Sequence, residues 1–231
     1  MRSLLYVPGD APGKLAKALN RGADALLVDL ADAVPRDDGS SVRTEVVAWL
    51  RTVPADAEVW VRINPGPLGH EDARALVGPG LRGLVVARTD STTQLDALDH
   101  VLSIVEDENT LAHGAVPVAP MLESAAGLLA AGSIARGARV VRLHLGEYAL
   151  RAELRVEAST DERELLFARS QVVLVGAAAG LAAPVGPISM HIGDLASLRS
   201  SSLALRWLGF GGRVCLHLAQ VDLLNDVFIS R

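Results

Sequence analysis

Apolar positions along the chain fall into two alternating kinds of run. Short β-branched stretches predict strands at Ser3–Pro8, Ala25–Leu30, Glu58–Asn64, Gly83–Arg88, Val116–Leu122, Val140–Leu145, Val185–Met190 and Arg213–His217. The longer stretches between them carry helical spacing, at Lys14–Arg21, Val42–Arg51, His70–Leu76, Thr92–Val105, Ser124–Arg136, Glu162–Leu181, Leu195–Leu208 and Val221–Phe228. Punctuation agrees with this reading. Asp161 precedes Glu162 as a helix N-cap, and Gly22, Gly180 and Gly209 follow helices where a glycine suits the left-handed C-terminal turn.

Eight strand–helix units in 231 residues predict a single-domain α/β fold over 1–231, a (β/α)8 TIM barrel at the small end of its range. A doubly wound sheet is the competing architecture. It would place a glycine-rich phosphate fingerprint after its first strand, whereas Gly9-Asp10-Ala11-Pro12-Gly13 has none. Gly209-Phe210-Gly211-Gly212 resembles a phosphate loop but precedes a strand, so it reads as a turn at the bottom of the barrel.

Composition narrows the function. The chain is 50% hydrophobic and 21% charged, enough to bury a large core. No apolar stretch reaches the roughly 18 residues of a membrane span, and the opening apolar run is too short for a secretory signal. The single cysteine, Cys215, excludes an internal disulfide framework. These features predict a cytoplasmic protein, with no membrane partner. A net charge of −5 without a basic run argues against nucleic acid.

Of the 22 basic residues only Lys14 and Lys17 are lysines, both in the first predicted helix and away from strand ends. Imine chemistry needs a lysine beside the substrate, so any carbonyl chemistry here falls to a metal ion or to arginines. Barrel sites form at the carboxyl ends of strands. The polar residues there are Asp29 and Asp32, Arg62 and Asn64, Arg88, Glu123, His144 and Glu147, His191, and His217 and Gln220. Glu123 opens a predicted helix, where a carboxylate either ligates a hard cation or answers the helix dipole. Arg62, in Val-Trp-Val-Arg-Ile-Asn-Pro, faces inward by alternation. It either grips a substrate carboxylate with its forked donors or pairs with Asp29 or Asp32. The histidines lack ligand spacing and read as structural.

These residues resemble the citrate lyase β-subunit-like group of the HpcH/HpaI aldolase superfamily over nearly the whole chain. The likeness is carried by Leu5-Tyr6-Val7-Pro8-Gly9-Asp10 with Pro12 and Lys17-Ala18, and by Gly22-Ala23-Asp24-Ala25 through Val28-Asp29-Leu30-Ala31-Asp32-Ala33-Val34. It continues in Val61-Arg62-Ile63-Asn64, Leu122-Glu123-Ser124-Ala125, Leu145-Gly146-Glu147 and Phe167-Ala168-Arg169-Ser170. It ends in Leu208-Gly209-Phe210 through His217, Gln220, Asn225 and Phe228. Such proteins are magnesium-dependent (β/α)8 lyases of hydroxyacyl-CoA esters such as citryl-CoA and malyl-CoA.

The resemblance implies catalysis by Arg62, Asp29 and Asp32, substrate binding by Arg62, Asn64 and Gly146, and Mg2+ at Glu123 with Glu147 as a second ligand. It further implies a small keto or hydroxy acid, or its CoA ester, as ligand, and a homo-oligomer, expected to be a trimer. Several positions depart from the family pattern. Ala149 stands where the family places its metal-binding aspartate, so Glu147 or Glu153 would have to substitute. Ala31, Ala11, Arg88 and Leu218 replace a family acid, arginine, lysine and proline, and the further C-terminal segment usual in the family is expected to be missing after Phe228. Two functional readings follow: a carbon–carbon lyase, or a catalytically impaired homologue that binds the ligand or serves as an assembly subunit.

Overall fold

A computed structural model describes residues 1–19, 21–32, 39–157, 159, 161–189 and 193–229. Eight parallel strands close on themselves in sequence order: β1 Ser3–Pro8, β2 Ala25–Asp29, β3 Val59–Ile63, β4 Gly83–Val86, β5 Val118–Leu122, β6 His144–Leu145, β7 Val185–Gly186 and β8 Gly212–Cys215. β1 pairs with both β2 and β8, which makes a barrel and excludes the open doubly wound sheet. Around it run α1 Pro12–Ala18, α2 Gly39–Leu50, α3 Pro67–Leu76, α4 Thr92–Glu108, α5 Ala125–Leu129, α6 Ala131–Ile134, α7 Glu147–Leu154, α8 Leu166–Ala178, α9 Leu195–Leu208 and α10 Val221–Val227. Among the described residues no helix is long and apolar enough to cross a membrane.

Alternation along the strands divides the apolar residues into two layers. Leu4, Ala25, Leu27, Trp60, Val85, Ala119, Met121, Val185 and Val214 fill the barrel interior. Leu5, Val7, Leu26, Val28, Val61, Ile63, Leu84, Val86 and Leu122 pack outward against the helices. The period of two then dictates what reaches the mouth. Asp29 shares parity with Leu27, Arg62 with Trp60, and Glu123 with Met121, so all three turn inward at the carboxyl ends.

The strand ladder is uneven. β1 and β2 share five register pairs, from Leu4↔Ala25 to Pro8↔Asp29, while β6 and β7 share one, His144↔Val185. Both latter strands are shorter than their periodicity predicts. Pro187 follows β7 and has no N–H to extend the ladder. The Val140 end of the predicted sixth strand keeps only an isolated bridge to Val118.

Three helical expectations also change. The predicted helix over Ser124–Arg136 breaks at Ala130 into α5 and α6. The one over Glu162–Leu181 opens as a 3-10 turn, Arg163–Leu165, whose N-cap is Glu162 in the left-handed region rather than Asp161. α7 has no counterpart among the predicted helices, because only Glu147 and Leu150 of its eight residues are buried and no apolar stripe marks it. The turn Gly209–Gly212 leads from α9 into the start of β8 as expected, with Gly209 at φ 110° as the C-cap. Cys215 is free and buried, and burial pushes its thiol up to about 12, which leaves it unreactive.

Candidate active site

Arg62 sits at the centre of the mouth. Its register partner on β2 is Asp29, so the two side chains emerge side by side. Nη1 donates to both Asp29 oxygens at 3.2 and 3.3 Å. Nη2 lies 3.3 Å from each oxygen of Glu123 and 2.8 Å from Asp32 Oδ2. Burial works against the charge on Arg62, but Asp29, Glu123 and Asp32 together hold its pKa above the ordinary arginine value.

Each carboxylate is held differently. Asp29 is fully buried and also accepts from the Tyr6 hydroxyl at 2.7 Å and the Ala31 amide at 2.9 Å. Burial beside that carboxylate raises the Tyr6 hydroxyl pKa, so it stays a donor. Asp32 is 65% exposed and faces the opening. Glu123 is buried, and burial raises its carboxyl pKa above the ordinary value against the opposing pull of Arg62 and the Arg88 amide. That amide donates to Glu123 Oε2 at 2.9 Å from a residue at φ 45°, a conformation rarely adopted outside glycine.

The two readings of Glu123 separate on this geometry. α5 starts at Ala125 with Ser124 as N-cap, its hydroxyl accepting from Gly127 N at 2.9 Å. The carboxylate of Glu123 meets Arg62 and the Arg88 amide rather than the helix amides. The Arg62 pairing with Asp29 and Asp32 is present, and Glu123 joins it. Gly146 closes the floor beneath: a Cβ there would come within 2.4 Å of Glu123 Cγ and 2.7 Å of its Oε1, so only glycine leaves the carboxylate in place. Asn64 donates to the Leu30 carbonyl at 3.4 Å and so contacts the loop after β2 that carries Asp32.

Glu147 stands apart from this cluster. Its carboxylate accepts from Arg169 Nε at 2.5 Å and Nη2 at 2.8 Å, and Arg169 also meets Glu162 at 2.8 Å. Glu153 accepts from the Ala125 amide at 3.1 Å. Ala149, on α7, offers no donor atom. His217 accepts from the Ala219 amide, a local cap, as expected for a structural histidine. His144 is fully buried beneath the mouth, its pKa pushed down to about 3 by burial, by Arg142 below and by Arg62 above. His191, Met190, Ala33 and Val34 lie outside the described residues.

The donor set decides what cation the mouth suits. Three carboxylates meet one guanidinium, which leaves an excess of negative charge that a second cation would balance. Among the described residues no group of three histidine, cysteine or acidic side chains is arranged to enclose a metal ion. Glu123 and Asp32 are hard oxygen donors that contact the same arginine nitrogen. They fit Mg2+ as a partial set, completed by oxygens of a chelating ligand and by water.

Beside the mouth, a groove of about 650 Å³ runs between α1 and the loop after β8. Apolar Leu5, Val7 and Leu216 floor it, and Lys14, Lys17 and Arg21 line one wall. Tyr6 both lines this groove and donates to Asp29, so one side chain touches the groove and the arginine cluster. Tyr6, the Arg88 amide and the two lysines are not among the residues that the strand-end rule picks out. Parity with Leu4 on β1 is the available signal for Tyr6, and the spacing of Lys14 and Lys17 on one face of α1 is the signal for the groove, with Arg21 reaching it from beyond the end of the helix.

A sequence profile described as HpcH/HpaI aldolase/citrate lyase matches residues 2–218. The chain belongs to that family. Among its relatives, the citrate lyase subunit beta of Leuconostoc mesenteroides is 27% identical over 231 residues, covering 98% of this chain and 76% of the relative. A (3S)-malyl-CoA thioesterase of Cereibacter sphaeroides is 30% identical, with 98% and 76% covered. The solved citrate lyase beta subunit of Mycobacterium tuberculosis complexed with oxaloacetate and magnesium superposes with a TM-score of 0.82. It is 23% identical, with 99% of this chain and 97% of that chain covered, a likeness that speaks for the fold. Family membership makes lyase or thioesterase chemistry on CoA esters the general setting of this barrel.

Proposed function

We propose that this protein is a Mg2+-dependent carbon–carbon lyase that cleaves a hydroxyacyl-CoA, of the citryl-CoA or malyl-CoA kind, into an acyl-CoA and a keto acid. The observation that carries the reading is the buried, inward guanidinium of Arg62 shared among Asp29, Asp32 and Glu123 at the barrel mouth. A substrate carboxylate reaches Arg62 only when one of its present partners lets go. The excess acid at the mouth is what a divalent cation compensates, so ligand and cation bind together. Glu123 and Asp32 would hold the ion, which when bound lends positive charge to the acid's carboxylate and hydroxyl oxygens.

The chain's own residues then divide the work. Arg62 takes the substrate carboxylate with its planar fork and steadies negative charge at the reacting oxygen. Asp29, fixed by Tyr6 and the Ala31 amide, keeps that guanidinium oriented, and Asn64 and Gly146 shape the pocket. Asp32, the carboxylate of the three that reaches solvent, accepts the hydroxyl proton. The carbon–carbon bond breaks as the hydroxyl oxygen becomes the keto oxygen, and the electron pair passes to the acyl-CoA α-carbon as an enolate, which takes up a proton. Lys14, Lys17 and Arg21 suit the phosphates of the coenzyme, with Tyr6 at the join.

A second reading, ligand binding without catalysis, draws on Ala149 and on the engagement of Glu147 by Arg169. One set of measurements separates the readings. Oxaloacetate with millimolar Mg2+ is expected to raise the melting temperature by mass action, and either alone to do little. Keto-acid release from malyl-CoA or citryl-CoA marks the lyase, and ligand stabilisation without release marks the binding protein. An equal shift by oxaloacetate in the presence of a chelator, or none in any combination, overturns the coupled site. In this reading the protein is a cytoplasmic homotrimer, which light scattering of the purified chain tests.

A further inference from the structure

The opposite pole of the barrel, where the strands begin, carries an open pocket of about 420 Å³. Its wall includes Met1, Asp24, Glu58, Trp60, Arg82 and Arg142. Strand parity builds it: Trp60 lies two residues before Arg62 on β3, and Arg142 two before His144.

The charges of this wall do not cancel. Asp24 is engaged by Arg2 through Nε at 2.9 Å and Nη2 at 2.7 Å, with the Met1 amino group at 3.8 Å. Glu58 accepts from Arg82 Nε at 3.1 Å. Arg142 has no carboxylate in contact among the described residues. Its Nη1 meets the Met1 thioether at 3.1 Å, a weak acceptor, and its Nε is buried with no partner. Burial lowers the pKa of this guanidinium, and Glu58 opposes the shift only weakly from a distance. An uncompensated charge at the edge of the interior is costly unless something arrives to pair with it. Arginine donates and cannot accept, so the missing partner is an acceptor with negative charge. At about 420 Å³ the pocket lies at the small end of the range of small-molecule sites, which suits a compact ligand with water.

We propose that this pole is a second binding site, for a compact oxyanion (a carboxylate or a phosphate) received by Arg142. The site is separate from the mouth, with the neutral ring of His144 between the two arginines. It therefore binds without the Mg2+ on which the mouth depends.

Trp60 in the same wall is a built-in reporter. In the full chain carrying Trp49→Phe and Trp207→Phe, Trp60 is the sole indole emitter. Inorganic phosphate and, separately, malonate are titrated in EDTA at constant ionic strength set by KCl. A saturable change in Trp60 emission is expected with at least one of them, and Arg142→Gln should weaken it at least tenfold. A response to phosphate alone identifies a phosphoryl ligand, and to malonate alone a carboxylate. Without anion, Arg142→Gln should melt as high as its parent, since the charge it removes has no carboxylate to lose. Emission that tracks KCl, an Arg142→Gln titration equal to the parent's, or loss of the melting transition in that variant overturns the proposal. Because EDTA silences the mouth as read above, failure here leaves the lyase reading untouched, and the reverse also holds.

Discussion

Replacing Arg62 by leucine removes the cation on which three carboxylates converge and leaves a side chain of smaller volume. Asp29 and Glu123 have side chains 1% and 8% exposed, so neither can turn to water for compensation. Asp32, 65% exposed, adds little. Stripping one partner from a buried ion pair costs about 3–5 kcal/mol, because the stranded charge remains. In a domain of this length each kcal/mol lowers the melting temperature by about 2–4 °C, so the Arg62→Leu variant should melt roughly 10 °C below the parent near pH 7.5. The pH dependence carries a sign. Burial already holds the Glu123 carboxyl above its ordinary value, and losing Arg62 raises it further. A group whose folded pKa exceeds its unfolded value binds protons more readily in the fold, so acidification favours folding through that group. The gap between parent and variant should therefore narrow as the pH falls from 7.5 toward 5. Calorimetric or fluorescence melting at both pH values is the assay. A variant that melts with the parent at pH 7.5, or a gap that stays constant or widens in acid, refutes the electrostatic account of the mouth.

Other outcomes follow from the same geometry. Gly146→Ala drives a methyl against Glu123, should cost about 1–3 kcal/mol, and should abolish Mg2+-dependent stabilisation by oxaloacetate; an unchanged ligand-induced shift would count against the packing argument. His144 stays neutral in the fold down to about 3 while the unfolded chain protonates near 6.5, so the parent loses up to about 1.4 kcal/mol per pH unit below that point. His144→Leu should flatten the melting curve between pH 6.5 and 4, and an unaltered slope would place the acid sensitivity elsewhere. Ala149→Asp adds a carboxylate to Glu123 and Asp32 and should tighten Mg2+ binding in titration calorimetry, whereas equal affinity would remove residue 149 from the metal's surroundings.

Much of the frame was legible because local patterns and tertiary environment agree. β1 and α9 match their predicted bounds residue for residue, since strong β-branched or helical periodicity is closed by Gly9 on one side and Gly209 on the other. The inward aim of Arg62 followed from alternation alone. What periodicity could not supply was pairing across the barrel. Nothing in the sequence near Glu147 announces Arg169, since a bidentate ion pair between α7 and the start of α8 is a product of closure. α7 itself was invisible because its surface is mostly solvated, with Tyr148 and Leu154 outward. The Arg88 amide escaped for a different reason. Its contribution is a backbone conformation, and side-chain identity does not report one.

The single register pair between β6 and β7 makes that seam the cheapest place for the wall to breathe. Deuterium would enter the amides there while those of β1 and β2 stay locked until the whole domain unfolds. Gly146, which packs beneath Glu123, is tied to the other side of β6, its amide donating to the Leu122 carbonyl of β5 at 2.9 Å. The wall can thus part between β6 and β7 while the floor under the acid stays fastened to the strand that carries it.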